Sequence, residues 1–208
     1  MELAETFSRS RLKVGIDVPW VTSWTSEPVT GAGPCLTTPG LMAVRQREQP
    51  GFGRPVYSEN HHYRQRVSVL RMLCPMCGQP TAKTDRWTLT AKRKAAGQLR
   101  AQGLGDQVPA DLADARVVID AGAIAPLHKA CAERSSVQCP HLSADPALDL
   151  RAFSIRWMVS PLYVPLAEDA PPDTPPIVAF IQLCGITDTT DRRWQERLGL
   201  TNTDGGGT

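Results

Sequence analysis

Leu73-Cys74-Pro75-Met76-Cys77-Gly78 and, further along, His128-Lys129-Ala130-Cys131 are the stretches on which the reading of this chain turns. Each pair sets two ligand-type side chains two residues apart, so that one tight turn can aim both at a single metal ion. Gly78 supplies the positive-φ position that closes such a knuckle. Thiolates and imidazole select Zn²⁺, and four of them complete a tetrahedral structural site with no open position for chemistry. Cys74, Cys77, His128 and Cys131 are therefore the candidate metal ligands. A redox dithiol is the first rival, but that chemistry needs its first cysteine at a helix N-terminus, where the dipole lowers the thiol pKa. Here Gly78 and Pro80 turn the chain away at once. The other rival is two unrelated pairs of small buried residues, a role that free cysteine also fills.

Upstream of the knuckle, residues 1–60 alternate short apolar runs with Pro and Gly, which predicts short strands and turns. Pro50-Gly51-Phe52-Gly53-Arg54-Pro55 is an irregular break. A helix is predicted from Asn60, as N-cap, to Leu73, with Val67, Leu70 and Leu73 on one face. Downstream, Thr84–Thr90 reads as a strand returning past the knuckle, and residues 91–102 are helical in composition. Residues 103–115 read as a surface excursion and Val117–Asp120 as a strand. A helix over Ala132–Gln138 ends at Pro140. The runs Phe153–Val164 and Ile177–Ile186 predict an antiparallel hairpin, followed by a helix over 189–198 and a disordered tail over 201–208.

The expected fold is thus α+β: a treble-clef-like zinc core with short β-strands, a C-terminal β-hairpin and a C-terminal helix. Its regions are 1–60 (β and turn), 61–142 (zinc-binding core with a basic insertion), 143–200 (hairpin plus helix) and 201–208 (tail).

The 208 residues suffice for one substantial domain or two small ones, and 18 Pro with 16 Gly predict short elements and irregular connections. A net charge of +2 argues against coating nucleic acid by global charge. No run of 18 apolar residues and no apolar leader segment occur, so a cytoplasmic, non-membrane protein is expected. In that reducing compartment six cysteines serve as ligands or core residues rather than disulfides. Cys139 lies eight residues beyond Cys131, about 12 Å along a helix, too far for both to reach one ion. Cys139 and His141 are read as structural, as are the isolated Cys35 and Cys184.

Gly51–Tyr57, His62–Arg66, Leu73–Gly78, His128–Ala132 and Cys139-Pro140-His141-Leu142 together resemble a set of zinc-knuckle, treble-clef-like proteins encoded by high-GC Gram-positive bacteria and their phages. The resemblance spans about residues 50–142. His128 stands where that set usually has cysteine, a conservative change for zinc. The resemblance implies a shared metal site and no particular activity.

Between residues 61 and 100 there are nine Lys or Arg and one acid, Asp85, a local charge of +8. Such a footprint beside a knuckle suits phosphate contacts, with Arg64, Arg66, Arg86, Lys92, Arg93 and Lys94 as candidate nucleic-acid ligands. Tyr63 and Trp87 could stack on bases. The alternative is a solvated basic face balanced by acidic residues elsewhere. His61-His62 invites comparison with His-Asn-His nucleases, which also use a treble clef. In those enzymes the catalytic His sits on the hairpin, whereas here the pair precedes the knuckle and the expected hairpin has no His. The reading is a zinc-stabilised binding module whose partner is nucleic acid or another protein, with a metal-dependent nuclease as the alternative.

Overall fold

The computed structural model describes residues 7–144, 148–165, 171 and 173–193. The strands are β1 (Thr22–Trp24), β2 (Val29–Pro34), β3 (Met42–Gln46), β4 (Pro55–Asn60), β5 (Trp87–Thr88), β6 (Lys92–Ala95), β7 (Arg116–Gly122), β8 (Arg151–Ala152), β9 (Arg156–Tyr163) and β10 (Ile177–Thr190). The α-helices are α1 (His62–Arg71), α2 (Ala96–Leu99), α3 (Lys129–Gln138) and α4 (Pro140–Ser143). The chain is a mixed helix and sheet protein. No described helix is long and apolar enough to cross a membrane.

The main sheet has six strands and is organised by β10. Along one edge β10 pairs antiparallel with β9, from Val178↔Tyr163 to Ile186↔Arg156. Along the other it pairs first with β3, in parallel, at Ile177↔Met42 and Val178↔Ala43. It then pairs with β7, antiparallel, from Leu183↔Gly122 to Thr190↔Arg116. β2 extends the sheet beyond β3, and β6 extends it beyond β7. A strand buried on both faces reads as a near-continuous apolar run, and Ile177–Ile186 is such a run, interrupted by Gln182. Ile181 and Leu183 join Ile119, Ala121, Phe153, Val69 and Met72 in one core cluster. The alternate residues Cys184 and Ile186 join Val118, Leu99, Val108 and Leu112 in another. The period of two thus feeds two cores from one strand.

Along the edge it shares with β3 and β7, β10 has no strand beside it at Ala179 and Ile181, between those two partners. Side chains of α1 take that place. Gln65 Oε1 accepts the Ile181 N–H at 3.0 Å, and Gln65 Nε2 donates to the carbonyls of Ile181 (2.8 Å) and Ala123 (2.9 Å). Arg66 Nη1 donates to the Ala179 carbonyl at 2.8 Å and Nη2 to that of Val44 at 3.0 Å. Buried backbone groups must be paired, and here a helix supplies what a missing strand would. Residues Arg64 to Val69 of α1 are consequently all buried. The helix has no solvent face over that stretch, which the spacing of Val67, Leu70 and Leu73 does not convey.

Several expectations are corrected. The N-cap of α1 is His61, whose side chain accepts from the Arg64 N–H, while Asn60 ends β4. Lys92–Ala95, read as helix, is the edge strand β6 in register with Val117–Asp120, and helix begins only at Ala96. The 103–115 excursion is anchored by Val108 and Leu112 in the second core cluster. No hairpin follows the knuckle among the described residues: β5 is two residues long and pairs with β8. The six-stranded sheet draws strands from all three of the expected structured regions. Thr189 and Thr190, expected in a helix, complete β10, while residues 194–198 and the tail lie outside the described residues.

Candidate metal centre and basic surfaces

Cys74, Cys77, His128 and Cys131 come together, with one ligand atom from each lying within 4.8 Å of all the others. Two local structures bring this about. In the knuckle, the Gly78 N–H donates to the Cys74 carbonyl and the Cys74 N–H to that of Gln79, both at 2.8 Å, and Leu73 bridges Pro80. Gly78 has φ +75°, and a Cβ there would sit 2.9 Å from the Trp20 ring, so both its conformation and its bareness are used. In the second half-site, His128 is the N-cap residue of α3 and Cys131 lies in its first turn. Reciprocal backbone bonds between Trp87 and Leu127, at 2.9 and 2.8 Å, fix the approach to that helix beside the knuckle.

Cys77 Sγ is 3.4 Å and Cys131 Sγ 4.0 Å from His128 Nδ1. Tetrahedral ligands at zinc-like bond lengths stand about 3.5–3.8 Å apart along each edge, so these separations fit one ion. His128 Nε2 donates to the Pro80 carbonyl at 3.1 Å, which fixes the tautomer and leaves the Nδ1 lone pair facing the thiols. Burial pushes the Cys74 thiol up in pKa, against the backbone N–H groups of Met76, Cys77 and His128, which favour its thiolate. Cys131 is pushed up to about 12, by burial first and then by the proximity of Cys74 and Cys77. Three thiolates this close repel one another, and a divalent cation among them reverses that preference. The four groups can hold a metal ion. Cys139, at the C-cap of α3, is outside the group, and the side chain of His141 is outside the described residues.

The N-terminal segment lies across the knuckle. The N–H groups of Trp20 and Val21 donate to the carbonyls of Met76 (2.9 Å) and Pro75 (3.1 Å). Arg134 of α3 reaches the Gly15 carbonyl at 3.3 Å. Sequence reading missed Trp20 and Pro80 because neither carries a metal-binding signature. The bare Gly78 was the available hint that something packs there.

The candidate nucleic-acid residues divide sharply. Arg64 is 1 % exposed and forms a two-pronged pair with the buried Glu27, at 2.7 and 2.8 Å, while also donating to the Thr22 carbonyl. Glu27 is satisfied further by the N–H groups of Trp24 and Gln49. Arg66 is buried on the carbonyls described above. Arg86 is buried on Thr81 and lies 4.9 Å from the Trp157 ring centroid. These three are corrected to structural roles: each guanidinium is held inside the protein by acceptors or a ring face. Lys94 is half-buried and paired with Asp120 at 2.7 Å. Lys92 and Arg93 are exposed on the outer strand of the sheet.

His61 is fully buried and both its ring nitrogens are engaged. Nδ1 accepts the Arg64 N–H at 3.3 Å, so Nε2 carries the proton and donates to the Arg47 carbonyl at 2.9 Å. Burial, with the Arg64 charge adding to it, lowers its pKa to about 4. His62 stacks on Phe180 with ring centroids 4.7 Å apart, and its Nδ1 meets Gln46 Oε1 at 3.0 Å. No family model, curated protein or solved structure matches the chain.

Proposed function

We propose that Cys74, Cys77, His128 and Cys131 hold Zn²⁺ in a structural site that joins the knuckle to the N-terminus of α3, and that the chain is a zinc-stabilised binding module for nucleic acid. The observation that carries the reading is the closure of the site: four protein ligands converge, and the imidazole is locked by Pro80. A metal with four protein ligands has no position for substrate. Its contribution is to weld the knuckle to α3, and structural zinc of this kind can supply on the order of 10 kcal/mol. Three Cys and one His suit zinc by ligand softness. The exposed Lys92 and Arg93 support a phosphate-bearing partner.

A protein partner is the second reading, supported by the exposed Ile155, Trp157, Tyr163 and Val164 in and around β9. A nuclease would need a histidine free to activate water. His61 has neither ring nitrogen free, which leaves that alternative resting on His62 alone. The test is elemental analysis of protein made with ample zinc, followed by titration with duplex DNA at several salt concentrations. One zinc per chain and a steep salt slope are expected. Absence of zinc overturns the metal site, and absence of DNA binding at low salt overturns the nucleic-acid reading. DNA cleavage lost in His62→Ala would move the assignment to a nuclease.

A further inference from the structure

Where the main sheet ends, a cleft of about 290 Å³ is lined by Arg93 and Lys94 of β6, by Val117 of β7, and by Asp191, Arg192 and Arg193, which follow β10. The fold assembles it from distant sequence. Arg93 stands in register with Ile119, and Thr190 with Arg116. The Asp191 N–H then donates to the Ala115 carbonyl at 2.7 Å, bringing the end of β10 beside the start of β7. Asp191 Oδ1 accepts the Arg193 N–H at 3.0 Å, which turns the chain as it leaves the strand. Lys94 is paired with Asp120. Arg93, Arg192 and Arg193 are all exposed, and among the described residues none of their guanidinium groups has a hydrogen-bond or ion-pair partner.

We propose that this cleft is a phosphate-binding site, occupied by backbone phosphate of the nucleic acid that the module binds. Against the single carboxylate of Asp191, three guanidiniums without a side-chain partner among the described residues leave the concavity with an excess of positive charge, which an entering anion offsets. Their planar donor forks match phosphate oxygens two at a time. The volume lies at the small end of ligand clefts, which suits a backbone phosphate with its neighbouring sugars, or a diphosphate, rather than a buried base. The proposal deepens the nucleic-acid reading above and rests on it for the source of the phosphate. A free phosphate compound is the other source of the same chemistry.

The experiment compares the full chain with the triple variant Arg93→Gln/Arg192→Gln/Arg193→Gln, both zinc-loaded. Each is titrated with single-stranded and duplex DNA at several salt concentrations, and separately with inorganic pyrophosphate by calorimetry. Unfolding midpoints and zinc content are checked to be equal. The variant is expected to lose at least tenfold in DNA affinity at about 0.1 M salt. Its slope of log K against log salt should be shallower by about 1 to 2, as the loss of one or two neutralised phosphates requires. DNA binding with the same affinity and slope in both proteins overturns the cleft while leaving the nucleic-acid reading intact. Pyrophosphate binding lost in the variant, with no DNA binding by the wild type, keeps the cleft but makes its ligand a free phosphate compound. Pyrophosphate and DNA both ignored by the wild type overturns the cleft.

Discussion

Gln65 offers the sharpest test of how the sheet is held. Gln65→Met keeps the length and most of the volume of the side chain but removes all of its hydrogen bonds. In the folded protein this leaves the N–H and C=O of Ile181 and the C=O of Ala123 without their partner, in a site where Gln65 is 1 % exposed. A buried polar group stripped of its partner costs about 1–3 kcal/mol. Partial relaxation will spare some of that sum, so a net loss of about 4 kcal/mol is expected. This is a large share of the 5–15 kcal/mol typical of a whole domain. With a urea dependence of about 2–3 kcal/mol per molar, the midpoint should fall by about 1.5 M at constant zinc. Hydrogen exchange supplies an independent readout, because the Ile181 amide should lose far more protection than the amides of β9. If the midpoint moves by less than about 0.5 M and the Ile181 amide stays protected, α1 does not complete the β10 ladder as argued.

Two further outcomes are expected. Cys139→Ala should retain one metal ion per chain, whereas Cys74→Ser or Cys131→Ser should lose it and become sensitive to protease; metal lost from Cys139→Ala while His128→Ala keeps it would mean the ligands are wrongly assigned. His61 has a folded pKa of about 4, below the ordinary 6.5. Between those values the unfolded chain takes up a proton that the folded chain refuses, so stability should fall as pH drops from about 6.5 to 4, by about 3 kcal/mol from this group. His61→Asn, which preserves an N-cap, should show a flatter decline in denaturant unfolding, and parallel pH curves for the two proteins would refute the assignment.

The candidate metal ligands were legible because the chemistry of such a site demands fixed types at fixed spacing, and that demand is local. The short N-terminal strands and the apolar run of β10 were legible for the same reason. What escaped was decided by partners far away in sequence. Lys92-Arg93-Lys94-Ala95 has helix-forming composition, yet pairing with β7 overrides it, and its charges suit an outer strand that must not recruit another chain. Arg64 and Arg66 read as surface cations because arginine is seldom buried unless paired. Their partners, Glu27 and the carbonyls of Ala179 and Val44, carry no mark in the sequence that points back to them. The polar row Arg64-Gln65-Arg66 was in fact the interior of the helix, and only the buried acceptors around it make that tolerable.

The place of β10 in the chain bears on how the protein is made. This strand hydrogen-bonds to β3, β7 and β9, yet it follows all three in sequence. During synthesis, at about 5–20 residues per second, the earlier strands emerge from the ribosome with the middle of their sheet still missing. The knuckle likewise waits for His128 and Cys131 before the four-residue cluster can form. A nascent chain stopped short of Ile177 therefore displays open strand edges, and one stopped short of His128 also leaves the Cys74 and Cys77 thiols without the other half of their cluster. Assembly of the sheet is concentrated in the moments after β10 appears, when shielding of the waiting segments matters most.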